Sequence, residues 1–264
     1  MEIDDGIFLI PGKNWGKYPS SNCIYIKDFC LIDCSDSAQN LKPKIILNSH
    51  WHEDHIAMNG VAEKVYAHEL DKGAIENYEE FEKRYGMGEA VKLFLSLYQE
   101  IKFRKVDETF THGEILNFGN VEIEVLHTPG HSAGHCCFLI NGNILFLADI
   151  DLSSFGPWYG CLDSDVGEFV KSIKFLQKYA QEIKIAIPAH GKYVNCEEFE
   201  DRLEKYKYKI IERDRKIKEA LKKNLDPVGM GIIYRRFPEP ENIYRNFERI
   251  MVEKHLHFKP EEEG

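Results

Sequence analysis

The sequence predicts a mixed α/β sandwich rather than a parallel-sheet barrel. Strand-like runs, helices, strands, a helix and a last strand follow one another along the 264 residues, and this order favours the sandwich. The length suits one large domain, or a core domain with an appendage. Hydrophobic residues make up 43% of the chain and charged residues 30%, an ordinary balance for a folded globular protein.

The first part of the chain is rich in short apolar runs that predict β-strands, because they carry many Ile, Phe and Tyr residues. These runs are 6–11, 23–26, 29–33, 44–50 and 64–68. Only Lys27 and Asp28 separate the second run from the third, so we expect a hairpin there. The fourth run leads the chain into a histidine-rich loop.

Residues 69–105 change character, with apolar residues at helical spacing and charges between them. We therefore assign residues 69–112 to a helical insertion. Beyond it, residues 121–131 predict a strand that ends in a turn. The apolar runs at 136–140 and 143–149 predict a second hairpin across Asn141-Gly142, a favoured two-residue turn.

The last third of the chain is mainly helical. Residues 165–182 predict a helix, and residues 184–188 predict one more buried strand. Residues 197–224 predict a long amphipathic helix with Phe199 and Leu221 near the two ends of its apolar stripe. The remaining tail predicts turns and a final helix.

The charge and the cysteines narrow the class of protein. A net charge of −10 argues against nucleic acid and anionic membrane as partners, since both need a cationic surface. No apolar run is long enough to span a bilayer, and no basic stretch leads into an apolar run at the N-terminus. The cysteines number seven and include no C-x-x-C pair, so neither a disulfide framework nor a cysteine zinc site is indicated. A cytoplasmic location fits best.

The stretch NSHWHEDH at residues 48–55 holds three histidines and two carboxylates. His50 and His52 are two residues apart at a strand end, where alternation points both imidazoles the same way. Asp54 and His55 follow where the chain would turn toward a helix, and they can face a second point nearby. Imidazole and carboxylate suit zinc, iron or manganese. One short loop could therefore supply two adjacent metals.

Further ligand types follow apolar strands elsewhere in the chain. His131 lies in HTPGHSAGH, Asp149 ends LFLAD and His190 lies in IPAHG. Loops that follow strands can converge at one edge of a sheet. A lone histidine is usually a satisfied surface or core residue, but partners at three separate places make that interpretation weak here.

On these residues, the chain resembles hydrolases of the metallo-β-lactamase fold, and we place it near their glyoxalase II-like branch. The family's motifs stand in family order as HWHEDH, TPGHSAGH, FLADID and PAHG, over roughly residues 5 to 195. The resemblance implies an αββα sandwich with the metals at one edge between the sheets. Residues 1–196 would form the catalytic domain, with its helical insertion, and 197–264 a helical C-terminal extension packed on it.

The resemblance also implies a role for each ligand. Metal one would be held by His50, His52 and His131, metal two by Asp54, His55 and His190, and Asp149 would bridge both. The cofactors would be two divalent ions, zinc before iron or manganese. Their bridging water would lose a proton with a pKa of about 7, and the hydroxide would attack a carbonyl carbon or a phosphorus. Asp54 would be the catalytic residue that orients it and passes a proton.

Substrate contacts are predicted from loops beside the site. The Gly/Pro-rich loop at 153–160 follows Asp149 closely, so Trp158 and Tyr159 are expected to wall a substrate pocket rather than cap the core. The loop at 11–22 is a weaker candidate of the same kind. YRRF at 234–237 could hold a carboxylate or phosphate, although a solvated surface patch is favoured.

The expected function is hydrolysis of a small-molecule (thio)ester, lactone or phosphoester by a binuclear metal centre. Three alternatives stay open at this point. Persulfide dioxygenases share much of the motif set but use one iron, and some relatives cleave RNA or other phosphodiesters. A metal-bound protein without catalysis is the third. The tail could serve a homodimer contact as easily as a lid.

Overall fold

The structure, a computed structural model of the chain, describes residues 1–96 and 101–259. Within these ranges the chain forms a seven-stranded and a six-stranded β-sheet. The first sheet follows sequence order through β1 (Glu2–Asp4), β2 (Ile7–Ile10), β3 (Cys23–Ile26), β4 (Cys30–Ile32), β5 (Ile45–Asn48), β6 (Lys64–His68) and β7 (Glu108–Phe110). The second sheet contains β8 (Ile115–Phe118), β9 (Val121–His127), β10 (Cys136–Ile140), β11 (Ile144–Ala148), β12 (Ile185–Pro188) and β13 (Val194–Asn195).

Both sheets combine antiparallel and parallel pairs. In the first sheet β1 to β4 are antiparallel neighbours and β4 to β7 are parallel. In the second sheet β8 to β11 are antiparallel, β11 and β12 are parallel, and β12 and β13 are antiparallel. Parallel neighbours need crossover connections, usually helical. These crossovers carry most of the helices and the histidine-rich loop.

The helices flank the strands in the order of the chain. They are α1 (Glu53–Ile56), α2 (Lys72–Glu76), α3 (Tyr78–Tyr85), α4 (Ala90–Ser96), α5 (Val166–Gln177), α6 (Cys196–Lys222) and α7 (Glu241–His255). Two of them begin at side-chain caps, because Asn77 accepts from the N–H of Glu80 and Asp165 from that of Glu168. Each cap satisfies a backbone donor that the first helical turn leaves unpaired.

Two apolar layers make this fold an αββα sandwich. The layer between the sheets takes alternate residues of both sheets, such as Ile24 of β3 and Phe138 of β10. The outer layer takes the opposite faces, such as Leu139 of β10, together with the helices. All five residues of β10 are buried, which is why its sequence is continuously apolar.

Most predicted elements are present, and the differences concern short ones. The two predicted hairpins form as the pairs β3–β4 and β10–β11. The boundary of the helical insertion at residue 112 is wrong, because residues 108–110 form β7 and pair in parallel with β6. A three-residue strand is too short to show a period of two. Residues 97–100 of the insertion lie outside the described residues.

The C-terminal helices pack against the sandwich through both apolar and polar contacts. Phe199 of α6 is buried as its stripe predicts, but Leu221 near the other end of α6 is 41% exposed. Glu248 of α7 is fully buried and accepts hydrogen bonds from the N–H groups of Ile233 and Tyr234 at 2.9 and 2.8 Å. These bonds fix the segment between α6 and α7. The division into domains at residue 196 stays a prediction.

Among the described residues, no helix is both long and apolar enough to cross a membrane. The longest helix, α6, carries charged residues along its whole length.

A buried histidine at the end of β6 gives the fold a predicted pH dependence. Nδ1 of His68 accepts a hydrogen bond from the N–H of Leu70 at 3.2 Å, and the ring stacks on His127 with centroids 4.1 Å apart. Burial, and then the neighbouring His127, lower the pKa of His68 to about 4. An unfolded histidine titrates near 6.5. The unfolded state therefore binds more protons between these values, and stability falls as pH drops through this window.

We expect His68→Gln to remove part of this acid sensitivity. Between about pH 7 and pH 4.5, the free energy of unfolding should fall by on the order of 1–2 kcal/mol more in the wild type than in the variant. Urea unfolding in the presence of a chelator measures this without a contribution from metal. The exposed His257→Gln is the matched control, and parallel pH slopes for wild type and His68→Gln would contradict the prediction.

Candidate metal centre

The candidate ligands lie at one edge of the sandwich because each follows the carboxyl end of a strand. The loop after β5 carries the NSHWHEDH ligands and runs into α1. Asp149 follows β11 and His190 follows its parallel neighbour β12, which brings these two side chains together. His131 follows β9 in the same sheet. The carbonyl of Ser49 accepts from the N–H of Cys136 at 2.9 Å and so ties the histidine-rich loop to the second sheet.

Three imidazole nitrogens converge in the first half of the site. Nε2 of His50 lies 3.0 Å from Nδ1 of His52, and Nε2 of His131 lies 3.2 and 2.8 Å from these two atoms. Oδ2 of Asp149 is 3.1 Å from Nε2 of His131 and 3.9 Å from Nε2 of His50. Nitrogens around a tetrahedral zinc ion would be roughly 3.3 Å apart, given Zn–N bonds of about 2.0–2.1 Å. The cluster is close to that spacing.

The second half of the site joins the first through the other oxygen of the same carboxylate. Oδ1 of Asp149 is 3.0 Å from Nε2 of His55 and 3.4 Å from Nε2 of His190. Asp54 lies on the far side, with Oδ1 3.6 Å from His55 and Oδ2 3.2 Å from His190. Asp149 thus faces both clusters, one oxygen to each.

Unpaired buried atoms indicate that these residues could hold a cation. Oδ2 of Asp54, Nε2 of His55 and Oδ1 of Asp149 are buried and make no hydrogen bond. A buried polar atom without a partner costs about 1–3 kcal/mol. Here three such atoms point into one space, together with the imidazole nitrogens of the first half. A carboxylate and imidazole donor set of this kind suits divalent metals.

Hydrogen bonds on the outer nitrogens orient several of the imidazoles. Nδ1 of His55 is 2.7 Å from Oδ2 of Asp33, Nδ1 of His131 is 2.9 Å from the carbonyl of Trp158, and Nδ1 of His190 is 2.5 Å from the carbonyl of Gly16. Each of these partners only accepts, so the proton belongs on Nδ1 and the lone pair on Nε2 faces the site. Such contacts fix both the tautomer and the ring orientation of metal-binding histidines.

Gly16 can approach His190 because it has no side chain. Its φ is +73°, and a Cβ at this position would lie 2.1 Å from the carbonyl oxygen of Ala189. The same loop is held by the side chain of Asn22, whose Nδ2 donates to the carbonyls of Pro188 and Gly191 at 2.9 Å. The 11–22 loop therefore lies directly on the ligand-bearing end of β12.

The electrostatics of the site are dominated by burial and by Asp149. Burial, and then the charge on neighbouring histidines, hold the pKa of His50 well below its usual value. Burial also disfavours a charge on His190, but Asp149 and Asp54 together raise its pKa to about 10. Despite its own burial, Asp149 has a pKa well below the usual value, mainly because of His190 and His55. Metal binding would replace protons that this carboxylate cluster otherwise attracts.

Asp149 is also held through its backbone. His135 accepts a hydrogen bond from the N–H of Asp149 on Nε2 at 3.2 Å, and its Nδ1 is 3.0 Å from the carbonyl of Thr128. The hydroxyl of Tyr206 donates to the carbonyl of Asp149 at 3.2 Å. His135 was not predicted to be a ligand, and its hydrogen bond instead holds the backbone of the candidate ligand Asp149.

A cleft of about 570 Å³ opens over these ligands. Trp158 lines the cleft, as do Trp15 and Tyr18 of the 11–22 loop. Tyr159 does not, so its assignment to the pocket is corrected. Its ring is fully buried, and its hydroxyl lies 2.8 Å from Nε2 of His255. Side chains alternate along extended chain, so neighbours such as 158 and 159 face opposite ways.

Several cleft residues were missed by sequence analysis. Glu53, between two candidate ligands, is buried and accepts hydrogen bonds from the hydroxyls of Tyr18 and Tyr85. Burial, and then the charge of Asp54, raise the pKa of Glu53 to about 7. Phe94 of α4 and Phe247 of α7 also line the cleft. Of these three residues, only Glu53 could have been predicted from the sequence, because it lies inside the HWHEDH motif.

The two arginines of YRRF do not line the cleft. Arg235 and Arg236 are exposed, whereas Tyr234 before them is buried and lines the cleft. The aromatic residue of this motif therefore faces the site, and its charges face solvent. This agrees with the solvated surface patch that sequence analysis favoured.

Comparisons with known proteins agree with this architecture. A model of the metallo-beta-lactamase superfamily matches residues 32–190. The lactamase-like protein nscB of Arthroderma benhamiae is 27% identical over 202 residues, which are 72% of this chain and 37% of that protein. The hydroxyacylglutathione hydrolase GloC of Haemophilus influenzae is 28% identical over 171 residues, 58% of this chain and 71% of that enzyme.

Among solved structures, a metallo-beta-lactamase family protein from Thermus thermophilus superposes with a TM-score of 0.69 at 19% identity. The match covers 95% of this chain and 93% of that one, so the shared fold includes the C-terminal helices. The chain spans well under half of the length of the Arthroderma relative, 37%. The activities named for these relatives are therefore not assigned to this chain by the comparison.

Proposed function

Since the chain belongs to the metallo-beta-lactamase superfamily, we propose that it is a binuclear metal-dependent hydrolase of a small-molecule (thio)ester, lactone or phosphoester. The observation that carries the proposal is the pair of ligand clusters that meet at Asp149. One group contains His50, His52, His131 and Asp149, and the other contains Asp54, His55 and His190. Each group would hold one divalent ion, with Asp149 shared.

The metals would supply the activated nucleophile. Two divalent ions held at these positions would lower the pKa of a water between them and polarise the oxygen of the scissile group. The chain's own residues would bind, orient and exclude water around that centre. The overall reaction forms a bond from the water oxygen to carbon or phosphorus and breaks the bond to the leaving oxygen or sulfur. One proton of the water ends on the leaving group.

Asp54 is the residue of this chain best placed to carry that proton. Its Oδ2 is buried, makes no hydrogen bond and lies 3.2 Å from Nε2 of His190. The residue also lines the cleft, so its carboxylate can reach a water over the ligands. It would take the proton that the attacking water loses and return it to the leaving group.

A single-iron persulfide dioxygenase is the main alternative. The second cluster supports two metals, because the ligand atoms of Asp54, His55 and His190 form a group separate from the first. Oδ2 of Asp54 and Nε2 of His55 in this group make no hydrogen bond. Ligand identity alone does not choose the metal. The test must therefore identify the metal as well as count it.

We expect about two zinc or manganese ions per chain in protein purified without chelator or added metal, measured by elemental analysis. Chelation should lower the melting temperature, because ligands that bind only the folded state stabilise it. His50→Ala should lose metal, and the exposed His257→Ala is the matched control. A single iron per chain with oxygen uptake on glutathione persulfide would favour the alternative. Full metal content in His50→Ala would contradict the ligand assignment.

We also propose a cytoplasmic location and a small-molecule substrate. All seven cysteines are free, and six are buried, as expected for a reducing compartment. The net charge of −10 gives no general attraction for nucleic acid. A homodimer through the C-terminal helices is part of the same proposal, and light scattering of the purified protein tests it.

A further inference from the structure

One side of the cleft is built from aromatic rings that come from distant parts of the chain. We call this set the aromatic wall, and its members are Tyr18, Phe94, Trp158, Tyr234, Tyr244 and Phe247. They belong to the 11–22 loop, α4, the 153–160 loop and the C-terminal extension. The extension alone contributes half of them.

The aromatic wall is continuous and begins and ends at candidate ligands. Tyr18 stacks on Phe94 with centroids 6.5 Å apart and planes 14° apart, and Phe94 lies 5.8 Å from Phe247. Phe247 lies 5.2 Å from Trp158. At one end Tyr18 is 6.4 Å from the ring of His190, and at the other Trp158 is 5.6 Å from that of His131. A group attached to a bond positioned between the two clusters would therefore meet aromatic rings.

The polar atoms of the aromatic wall are largely occupied by the protein itself. Nε1 of Trp158 donates to the hydroxyl of Tyr234 at 2.6 Å. The hydroxyl of Tyr18 donates to Glu53. These bonds leave the carbon atoms of the rings, rather than their donors, as the surface that a ligand contacts. Aromatic faces favour flat aromatic partners in offset or edge-to-face geometry.

The cleft offers little to an anionic ligand away from the metals. Among the described residues that line it, Lys17 is the only lysine or arginine, and it is exposed. Arg213 lies behind the loop, where its guanidinium donates to the carbonyls of Phe155 and Pro157. The cleft also contains Asp151, a further carboxylate beside the ligands. A carboxylate or phosphate tail would lose hydration here with only the exposed Lys17 as a cationic partner among the described lining residues.

From these contacts we infer that the preferred substrates are uncharged esters or thioesters that carry a flat aromatic group beside the scissile carbonyl. The inference rests on the proposed hydrolase function and narrows its substrate class. The aromatic group lies against the aromatic wall, and burial of its apolar surface contributes about 25 cal/mol per Å² removed from water. Thioesters of charged thiols such as glutathione are poorer substrates, because the exposed Lys17 is the only cationic anchor among the described residues that line the cleft.

The test compares acyl groups on one neutral thiol. N-acetylcysteamine thioesters of acetate, benzoate and 2-naphthoate should show kcat/KM rising at least about tenfold across the series, equal to about 1.4 kcal/mol. The benzoyl thioester of glutathione should be slower than that of N-acetylcysteamine. Phe247→Leu should reduce the preference severalfold. Tyr208→Leu, an exposed position on α6, should leave it unchanged.

A binding measurement separates this inference from the proposed chemistry. Ketone analogues, in which a methylene replaces the thioester sulfur, cannot be hydrolysed and can be titrated by calorimetry into chelator-treated protein. The naphthyl ketone should bind at least about tenfold more tightly than the methyl ketone, and Phe247→Leu should weaken it. Naphthyl binding without hydrolysis of any ester, thioester, lactone or phosphoester would overturn the proposed function, while the aromatic binding preference of the cleft would stand. Equal binding of both ketones, or a preference for glutathione thioesters, would overturn the inference alone.

Discussion

Asp149→Asn is expected to abolish most of the hydrolase activity and to reduce the metal content to about one ion per chain or less. The carboxylate reaches both clusters, with Oδ2 3.1 Å from His131 and Oδ1 3.0 Å from His55. The amide keeps the shape but removes the negative charge and one acceptor oxygen. We expect kcat/KM to fall by at least about 10³-fold, equal to about 4 kcal/mol of transition-state stabilisation.

Elemental analysis and the rate on the fastest substrate of the proposed thioester series check this result together. The variant should stay folded, because the Asp149 backbone retains its bonds to His135 and Tyr206. Circular dichroism tests that point. Asp201→Asn is the matched control, since its carboxylate is 63% exposed on α6 and pairs with Lys205. An Asp149→Asn protein with two metals and full activity would remove Asp149 from its bridging role.

Arg213→Met is expected to give the largest loss of stability among the polar residues of the C-terminal extension. The guanidinium is buried within α6 and donates to the carbonyls of Phe155 and Pro157, and to the hydroxyl of Tyr159 at 3.3 Å. Methionine keeps much of the packing but leaves buried carbonyl groups without donors. Each such group costs about 1–3 kcal/mol, so the free energy of unfolding should fall by about 2–4 kcal/mol.

Arg215→Met on the same helix is the control for Arg213→Met. Arg215 is 65% exposed at its side chain and pairs with Glu219 at i,i+4, an interaction worth about 0.3–0.5 kcal/mol. Urea unfolding of both variants, under identical metal loading, measures the difference. Because Arg213 holds the loop that carries Trp158, its variant should also lose preference for the naphthoyl thioester. Equal stability of the two variants would show that the 153–160 loop does not depend on Arg213.

The sequence was most informative where the chemistry leaves few choices. The seven candidate ligands were identified because histidine and carboxylate follow apolar strands at family spacing, and the structure brings all of them into two adjoining clusters. The longer strands were predictable for a related reason, since a fully buried strand such as β10 must be continuously apolar. Short edge elements such as β7 and β13 carry too few residues to show a period.

The cleft was less predictable than the ligands. Trp158 and Tyr159 are neighbours of the same chemical type, and only the direction of the chain decides which one faces the cleft. Phe247 reaches the cleft from a helix about a hundred residues beyond Asp149, and its spacing on α7 is that of any core residue. Contacts of this kind depend on tertiary packing, which local patterns do not encode.

The candidate metal ligands and half of the aromatic wall come from different parts of the sequence. The candidate ligands all precede residue 191, whereas Tyr234, Tyr244 and Phe247 come from the C-terminal extension. Exchange of the extension between relatives would therefore change half of the aromatic wall while all seven candidate ligands stay in the chain. Such a chimera would need a compatible partner for Trp158, a donor for the loop that Arg213 supports, and a replacement for the bond from Tyr206 to the carbonyl of Asp149.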